Sequence, residues 1–242
     1  MRMIRVRDYQ QMSSVAADMI FAQVVLKPDS VLGLATGGTP VGTYKRLIQK
    51  YQEGALDLSE VRTVNLDEYV GLGANDENSY RYFMQKNFFD GINIDPANIY
   101  IPDGRAKDMA AECERYDNVL QNIGGIDLQL LGVGVNGHIG FNEPADAFTK
   151  KTHCVALAES TIDANQRFFA KKEDVPARAV TVGILDIVQA GKILMIASGR
   201  EKAKAIAEAF FGPMTPRMPA SILQLHKDVT LVADEDALSL VK

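Results

Sequence analysis

Short apolar runs recur along the chain, and stretches of helical composition separate them. This alternation limits the possible folds more than any other feature. The runs do not alternate with polar residues, which is typical of strands that helices cover on both faces of a parallel sheet. They span residues 31–35, 61–66, 128–133, 180–184, 193–197 and 229–232. The sequence therefore predicts an α/β fold with a mostly parallel, doubly wound, Rossmann-like sheet and helices on both faces.

The helical segments carry start and stop signals. Asp8 followed by Gln11 is typical of a helix cap, apolar residues then recur at helical spacing to Leu26, and Pro28 ends the helix. Residues 158–176 mix charges with two phenylalanines, which indicates a helical flap, or lid, over one end of the sheet. No linker is recognised, so we expect a single domain over 1–242. Further helices are expected over 43–52, 80–89, 108–123, 201–211 and 235–241.

Charge and cysteine usage exclude several classes of function. The chain has 26 Lys and Arg against 31 Asp and Glu and no basic block, so nucleic acid is not an expected partner. No apolar run approaches the roughly 20 residues that span a bilayer, so no membrane association is expected. Cys113 and Cys154 stand in no metal-ligand spacing. We expect buried thiols in a cytoplasmic protein without a metal site.

Ligands of an open α/β sheet bind beyond the carboxyl ends of the strands, so the residues after each apolar run are the first candidates for a site. The first such junction is the turn Thr36, Gly37, Gly38 and Thr39, which precedes Pro40. Its glycines permit close backbone approach, and the N-terminus of the next helix can bind an anion such as phosphate. The turn is neither a dinucleotide fingerprint nor a Walker A loop, and an ordinary strand-to-helix turn fits it equally well.

Two adjacent acids, Asp67 and Glu68, follow the second apolar run. In a continuing strand their side chains point to opposite sides, so at most one of them faces a ligand. That carboxylate is a candidate general base, although an acid at a strand end is more often a helix cap or a solvated charge.

The third junction is the most informative one. It places Asn136, His138 and Glu143 within eight residues, in a glycine-rich segment that lets the chain turn sharply. Histidine is the side chain most readily poised for proton transfer near neutral pH, and a nearby Glu can orient or charge it. A structural histidine is the alternative, but His153 and His226 have no comparable setting.

Cations follow the fifth apolar run. The turn where the next helix starts contains Gly199 and two cations, Arg200 and Lys202, which can contribute to an anion site. Arg167 in the flap can close over the same anion. Taken singly, each cation is most simply a solvated surface charge. No Ser or Cys stands in a nucleophile-elbow pattern, so covalent acyl chemistry is not expected.

Three segments together resemble the glucosamine-6-phosphate deaminase family in order and in spacing: 34–40, 65–69 and 136–144. The resemblance covers nearly the whole chain and includes 164–169, 179–183 and 223–226. It implies the conversion of glucosamine 6-phosphate and water to fructose 6-phosphate and ammonia, with no cofactor or metal.

The same resemblance implies a role for each candidate residue. His138 opens the sugar ring as a proton carrier, with Asn136 and Glu143 orienting and tuning it. Asp67 then takes the C2 proton, the enolamine is reprotonated at C1, and the ketimine is hydrolysed. We expect the flap to desolvate Asp67 and to raise its pKa, which would make it a better base. The substrate-binding set is Thr36, Gly37, Gly38, Thr39, Arg167 and Lys202, of which the last two hold chiefly the phosphate.

Two departures from the family affect what the resemblance implies. Some members have Asp where this chain has Asn136, so the relay here has an amide that orients rather than a carboxylate that charges. Asp146, His153 and Val155 differ from the longer hexameric members, which carry a regulatory site for N-acetylglucosamine 6-phosphate. We therefore expect a monomer or small homo-oligomer without allosteric activation.

Two other interpretations stay open. One is a sugar-phosphate isomerase or sugar-lactone hydrolase, since related families share the fold and an anion site, and ammonia release separates these activities. The other is a sugar-phosphate-sensing module. That module would need a DNA-binding segment, which we do not recognise, and it leaves Asp67, His138 and Glu143 unexplained.

Overall fold

The computed structural model describes residues 1–241. Its strands are β1 (Arg2–Val6), β2 (Val31–Leu34), β3 (Arg62–Asn65), β4 (Asp67–Tyr69), β5 (Ile99–Tyr100), β6 (Leu128–Leu131), β7 (His153–Ala156), β8 (Arg178–Thr181), β9 (Lys192–Ala197) and β10 (Val229–Asp234). Its α-helices are α1 (Tyr9–Leu26), α2 (Val41–Gln52), α3 (Tyr80–Asn87), α4 (Met109–Asn122), α5 (Glu159–Asn165), α6 (Ile184–Gln189) and α7 (Ala203–Phe211).

Seven strands form one sheet in the order β1, β10, β9, β6, β2, β3, β5, and every neighbouring pair is parallel. From β2 the chain continues to β3 and β5 on one side, and it then returns to β6, β9 and β10 on the other. The direction of winding therefore reverses between β2 and β6. The loops after these two strands diverge there and leave a crevice at the carboxyl edge of the sheet. The predicted doubly wound parallel sheet is confirmed.

Apolar cores cover both faces of this sheet. Along β2, Leu32 and Leu34 enter the core formed with α1, α2 and α3, whereas Val31 enters the core formed with α4, α6 and α7. Neighbouring strands alternate in the same way, since Leu130 faces the first core and Leu131 faces the second. Burial on both faces explains why the strands show no polar alternation in the sequence.

The first helix begins and ends where its signals indicate. The side chain of Asp8 accepts a hydrogen bond from the backbone N–H of Gln11 at 2.8 Å, and the helix ends at Leu26. A capping bond of this kind satisfies one of the N–H groups that have no partner in the first helical turn.

The strand predicted over 180–184 is wrong in its extent and in its sheet. β8 ends at Thr181 and belongs to a second, antiparallel sheet in the order β4, β8, β7, in which Asp67 pairs with Thr181. Ile184 already starts α6. An apolar run indicates burial, but it specifies neither the partner strand nor the direction of pairing.

Both ends of the chain also differ from the sequence prediction. β1 pairs with β10 at the edge of the sheet and was not among the apolar runs, because its residues are largely polar or exposed. The helix predicted over 235–241 is wrong, since residues 235–240 form consecutive turns. Buried Asp234 accepts hydrogen bonds from the N–H groups of Ala237 and Gly199, so it ties these turns to the loop after β9.

Candidate active site

A cleft opens at the carboxyl edge of the parallel sheet, over the point where the winding reverses. It encloses about 870 Å³ including its open mouth. Eight of the residues that the sequence singled out line it: Thr36, Gly37, Gly38, Thr39, Asp67, His138, Arg167 and Lys202. Asn136 and Glu143 do not line the cleft, but both contact His138. The structure therefore brings all ten predicted residues to one place.

The turn after β2 forms one wall of the cleft. Gly37 has a φ of +89°, a backbone conformation that favours glycine, and the turn leads into the N-terminus of α2. The hydroxyl of Tyr9 donates to the carbonyl of Gly38 at 3.2 Å and accepts from the N–H of Gly42 at 2.8 Å. Tyr9 thus fixes the turn against α2, a role that the sequence did not reveal.

Asp67 faces the cleft from the first position of β4. Its side chain is buried, with 7% of the residue exposed. The pKa of Asp67 is raised to about 8, first because burial disfavours the charged carboxylate and second because Glu68 is a like charge beside it. The direction is the one that the sequence predicts, and a carboxyl group with such a pKa is a good proton acceptor near neutral pH.

Glu68 points away from the cleft and holds the start of α3. Its carboxylate accepts hydrogen bonds from the N–H groups of Tyr69, Tyr80 and Arg81 at 2.8, 2.9 and 3.0 Å. Burial raises the pKa of Glu68 to about 7, although these three donors act in the opposite direction. Of the two adjacent acids, only Asp67 therefore reaches a ligand, as the alternation of a strand requires.

Gly140 packs against the hydroxyl of Thr181, beside Asp67. Its φ is +57°, and a Cβ atom at this position would lie 2.9 Å from Thr181 Oγ1 and 3.5 Å from Asp67 Oδ2. A side chain here would strain the backbone and overlap the Thr181 hydroxyl.

Asn136, His138 and Glu143 form a hydrogen-bonded relay. Asn136 Nδ2 donates to Glu143 Oε2 at 2.8 Å, and Asn136 Oδ1 accepts from the backbone N–H of His138 at 3.2 Å. His138 Nδ1 lies 3.6 Å from Glu143 Oε2. Since Nδ1 faces Glu143, Nε2 is the ring nitrogen left for a ligand in the cleft. The imidazole packs directly against Gly134, where a Cβ atom would overlap the ring.

The charge of Glu143 supports this arrangement. Burial by itself would raise the pKa of Glu143, but the nearby His138, the Thr161 hydroxyl and the hydrogen bond from Asn136 outweigh it. The pKa of Glu143 is therefore lowered, which keeps the group ionised at neutral pH. An ionised carboxylate beside Nδ1 orients the imidazole.

Two cations complete the opposite wall. Lys202 lies at the end of a short 3₁₀ turn after β9, and Arg167 lies in the flap with its guanidinium 4.8 Å from the ring centroid of Phe168. The pKa of Lys202 is lowered by burial and by the nearby charge of Arg167. Two like charges that face one cleft, close to the N-terminus of α2, are typical of an anion site.

Aromatic side chains pack between the flap and the cleft, and of these the sequence analysis noted only the flap phenylalanines. Phe169 of the flap packs edge-on against Tyr69, with ring centroids 5.7 Å apart. Tyr80 lines the cleft and stacks on Phe141 at 5.7 Å with an interplanar angle of 7°. Tyr80 follows a Ser79 helix cap, so its sequence context indicated only the start of a helix.

Within residues 1–241, no group of three or more His, Cys, Asp or Glu side chains is arranged to hold a metal ion. None of the described helices is long and apolar enough to cross a membrane. Both cysteines are free thiols: Cys113 is buried, as expected, whereas Cys154 is only half-buried.

Known proteins match this chain along most of its length. The sequence profile described as glucosamine-6-phosphate isomerases/6-phosphogluconolactonase matches residues 9–232. A curated relative from Lachnoclostridium phytofermentans, named glucosamine-6-phosphate deaminase, is 57% identical over 232 residues, 96% of this chain and 98% of its own. A relative of the same name from Clostridium perfringens strain 13 is 52% identical over all of both chains.

Solved structures give the same result. A structure described as a monomeric glucosamine-6-phosphate deaminase superposes with a TM-score of 0.97 at 45% identity and covers 99% of this chain and 100% of its own. The 6-phosphogluconolactonase of Trypanosoma brucei superposes with a TM-score of 0.78 at 18% identity, covering 100% of this chain and 98% of its own. At that identity the likeness shows the fold alone.

Proposed function

Because this chain belongs to the glucosamine-6-phosphate isomerase/6-phosphogluconolactonase family, we propose that it is a glucosamine-6-phosphate deaminase. It converts D-glucosamine 6-phosphate and water to D-fructose 6-phosphate and ammonia, and residues 1–242 act as one domain. The observation that carries this proposal is the cleft in which a buried Asp67 of raised pKa faces both the His138 relay and a two-cation anion site. The 50–57% identical relatives named as deaminases support the same activity.

The relay performs ring opening. His138 Nε2 moves the proton between the anomeric hydroxyl and the ring oxygen, so that the pyranose opens to the aldehyde. Glu143, which stays ionised, stabilises the imidazolium that forms in this transfer. Asn136 has no charge to contribute, so it acts by orienting Glu143 and the backbone of His138.

Asp67 performs the isomerisation. Its carboxylate removes the proton from C2 of the open-chain aldehyde, the electron pair moves to the carbonyl oxygen, and that oxygen takes a proton from water, which gives an enolamine. A proton then returns to C1, and the nitrogen electron pair forms a C2 ketimine. Water adds to C2, ammonia leaves, and the ketone is fructose 6-phosphate. A carboxylate raised in pKa by burial is matched to the removal of a weakly acidic proton.

The substrate phosphate binds between the two cations and the turn after β2. Arg167 and Lys202 supply the charge, and the turn 36–39 supplies hydroxyl and backbone N–H donors at the start of α2. Binding at this point places the sugar carbons between the anion site and Asp67. Positioning and proton transfer suffice for the chemistry, and the proposal includes no cofactor.

The oligomeric state and the cellular location of the protein are inferred from similarity and from its thiols. We propose a monomer or small homo-oligomer, which is supported by the similarity to a deaminase described as monomeric. A cytoplasmic location is supported by the two free thiols.

The test is product identity for two substrates. The purified protein, treated with a chelator, is given glucosamine 6-phosphate and, separately, 6-phosphogluconolactone. We expect ammonia and fructose 6-phosphate in equal amounts from the first and no acceleration of lactone hydrolysis. Lactone hydrolysis without ammonia release would identify the other activity in the family description. Binding of glucosamine 6-phosphate without either product would identify a sensor.

A further inference from the structure

The flap contacts the relay at three points. The N–H of Ala158 donates to Glu143 Oε1 at 3.4 Å, and Ser160 Oγ accepts from Asn136 Nδ2 at 3.4 Å. Thr161 Oγ1 lies 3.4 Å from His138 Nδ1, and the same hydroxyl helps to lower the pKa of Glu143. Thr161 is also unusual within the flap because only 2% of it is exposed, whereas Ser160 beside it is exposed.

The chemistry of a hydroxyl suits this place. A threonine hydroxyl donates one hydrogen bond and accepts up to two, so it can donate to Glu143 while it accepts from the protonated Nδ1 of His138. Glu143 and Nδ1 are 3.6 Å apart, a long distance for a direct hydrogen bond. A hydroxyl that reaches both groups fixes the position of Glu143 relative to His138.

The same flap segment reaches the anion site. Arg167 follows Thr161 by six residues across α5 and the 3₁₀ turn Gln166–Phe168, which corresponds to roughly 9 Å along a helix axis. One continuous helical segment therefore contacts the relay at its start and the phosphate-binding cation at its end.

We infer that Thr161 is a positioning residue for ring opening, through which the flap holds Glu143 and His138 in their working geometry. The inference rests on the proposed function and adds a residue to it. When Arg167 binds the substrate phosphate, the flap is held down and Thr161 is held against the relay. Binding at one end of the substrate then fixes the proton carrier at the other end.

The experiment compares Thr161→Val with two other variants. Valine keeps the branched shape and removes the hydroxyl, Thr161→Ser restores the hydroxyl, and Thr63→Val is the matched control. Thr63 is fully buried in β3, and its hydroxyl has no hydrogen-bond partner within residues 1–241. Two readouts are needed: kcat/KM for glucosamine 6-phosphate, and the affinity for the acyclic amino-alditol 6-phosphate made by reducing the substrate aldehyde.

The alditol cannot close into a ring, so its binding involves no ring-opening step. We expect Thr161→Val to lose about 10-fold or more in kcat/KM, the effect of one hydrogen bond to a charged group. Alditol affinity should stay unchanged, Thr161→Ser should recover most of the loss, and Thr63→Val should behave like the unmodified protein.

Three results overturn the inference. The first is a Thr161→Val variant whose kcat/KM is unchanged. The second is a loss of alditol affinity equal to the loss in kcat/KM, which would make Thr161 part of the binding surface. The third is a Thr161→Ser variant as impaired as Thr161→Val. Absence of ammonia release by the unmodified protein would refute the proposed function and the inference with it, whereas the other three results leave the deaminase activity standing.

Discussion

Replacing Asp67 with asparagine should make the folded protein more stable, and the gain should grow with pH. The pKa of this carboxyl is about 8 in the folded protein and 3.8 when the side chain is exposed. Below pH 3.8 the group is protonated in both states. Between the two values only the unfolded chain ionises, so unfolding releases a proton and the stability of the unmodified protein falls as pH rises. Asparagine does not ionise, so it makes no pH-dependent contribution to stability.

The size of the effect follows from the pKa difference. Each pH unit between 3.8 and 7 contributes about 1.4 kcal/mol, so the advantage of Asp67→Asn should reach roughly 4 kcal/mol at pH 7 and should level off above pH 8. Glu68 is present in both proteins. The difference in their free energies of unfolding therefore reports only on Asp67 and on its interaction with Glu68.

The assay is urea unfolding of both proteins at several pH values between about 4 and 9, read as the free energy of unfolding in water. Asp29→Asn is the matched control, because Asp29 is exposed and distant from the cleft. Its effect on stability should be small and the same at every pH. If the difference between Asp67→Asn and the unmodified protein does not change with pH, Asp67 is not the desolvated base described above.

Three further predictions concern catalysis. Arg167→Ala should raise KM for glucosamine 6-phosphate by about 10- to 100-fold through loss of a charge-assisted hydrogen bond, and unchanged KM in steady-state assays would remove this residue from the phosphate site. Gly140→Ala should lower stability because the new Cβ strains the backbone and overlaps Thr181 Oγ1, and it should lower kcat/KM because Thr181 pairs with Asp67. The control Gly124→Ala also has a positive φ but has open space around it, so it should lower stability while activity is retained. In the unmodified protein, kcat/KM should fall as pH drops below about 8, since Asp67 must be ionised to accept a proton. Glu68→Gln removes a like charge, so this limb of the pH profile should move to lower pH, and movement to higher pH would contradict the assigned coupling.

The parallel sheet and the place of the site could be predicted from sequence because both depend on local patterns. Uninterrupted apolar runs such as 31–35 follow from burial on both faces. The carboxyl ends of parallel strands meet at one edge, so polar residues after separate runs converge there. Asp67 and His138 are 71 positions apart in the chain and line one cleft for this reason.

Other features depend on pairing and packing that no local pattern specifies. β8 resembles a strand of the parallel sheet, yet it pairs antiparallel with β4. Residues 235–240 have helical composition, but buried Asp234 holds them in turns. Thr161 is an unremarkable residue of a polar flap segment, and only its burial against His138 gives it significance. These outcomes are set by contacts distant in sequence.

The most direct test of the account is turnover of glucosamine 6-phosphate that carries deuterium at C2, by the unmodified protein and by Asp67→Asn. We predict that the unmodified protein releases ammonia and fructose 6-phosphate in equal amounts, more slowly from the deuterated substrate than from the protonated one. Asp67→Asn should bind the substrate and lose about a hundred- to ten-thousand-fold in rate, the usual contribution of a general base. An Asp67→Asn enzyme with near-normal ammonia release would contradict the assignment of Asp67 as the base that removes the C2 proton.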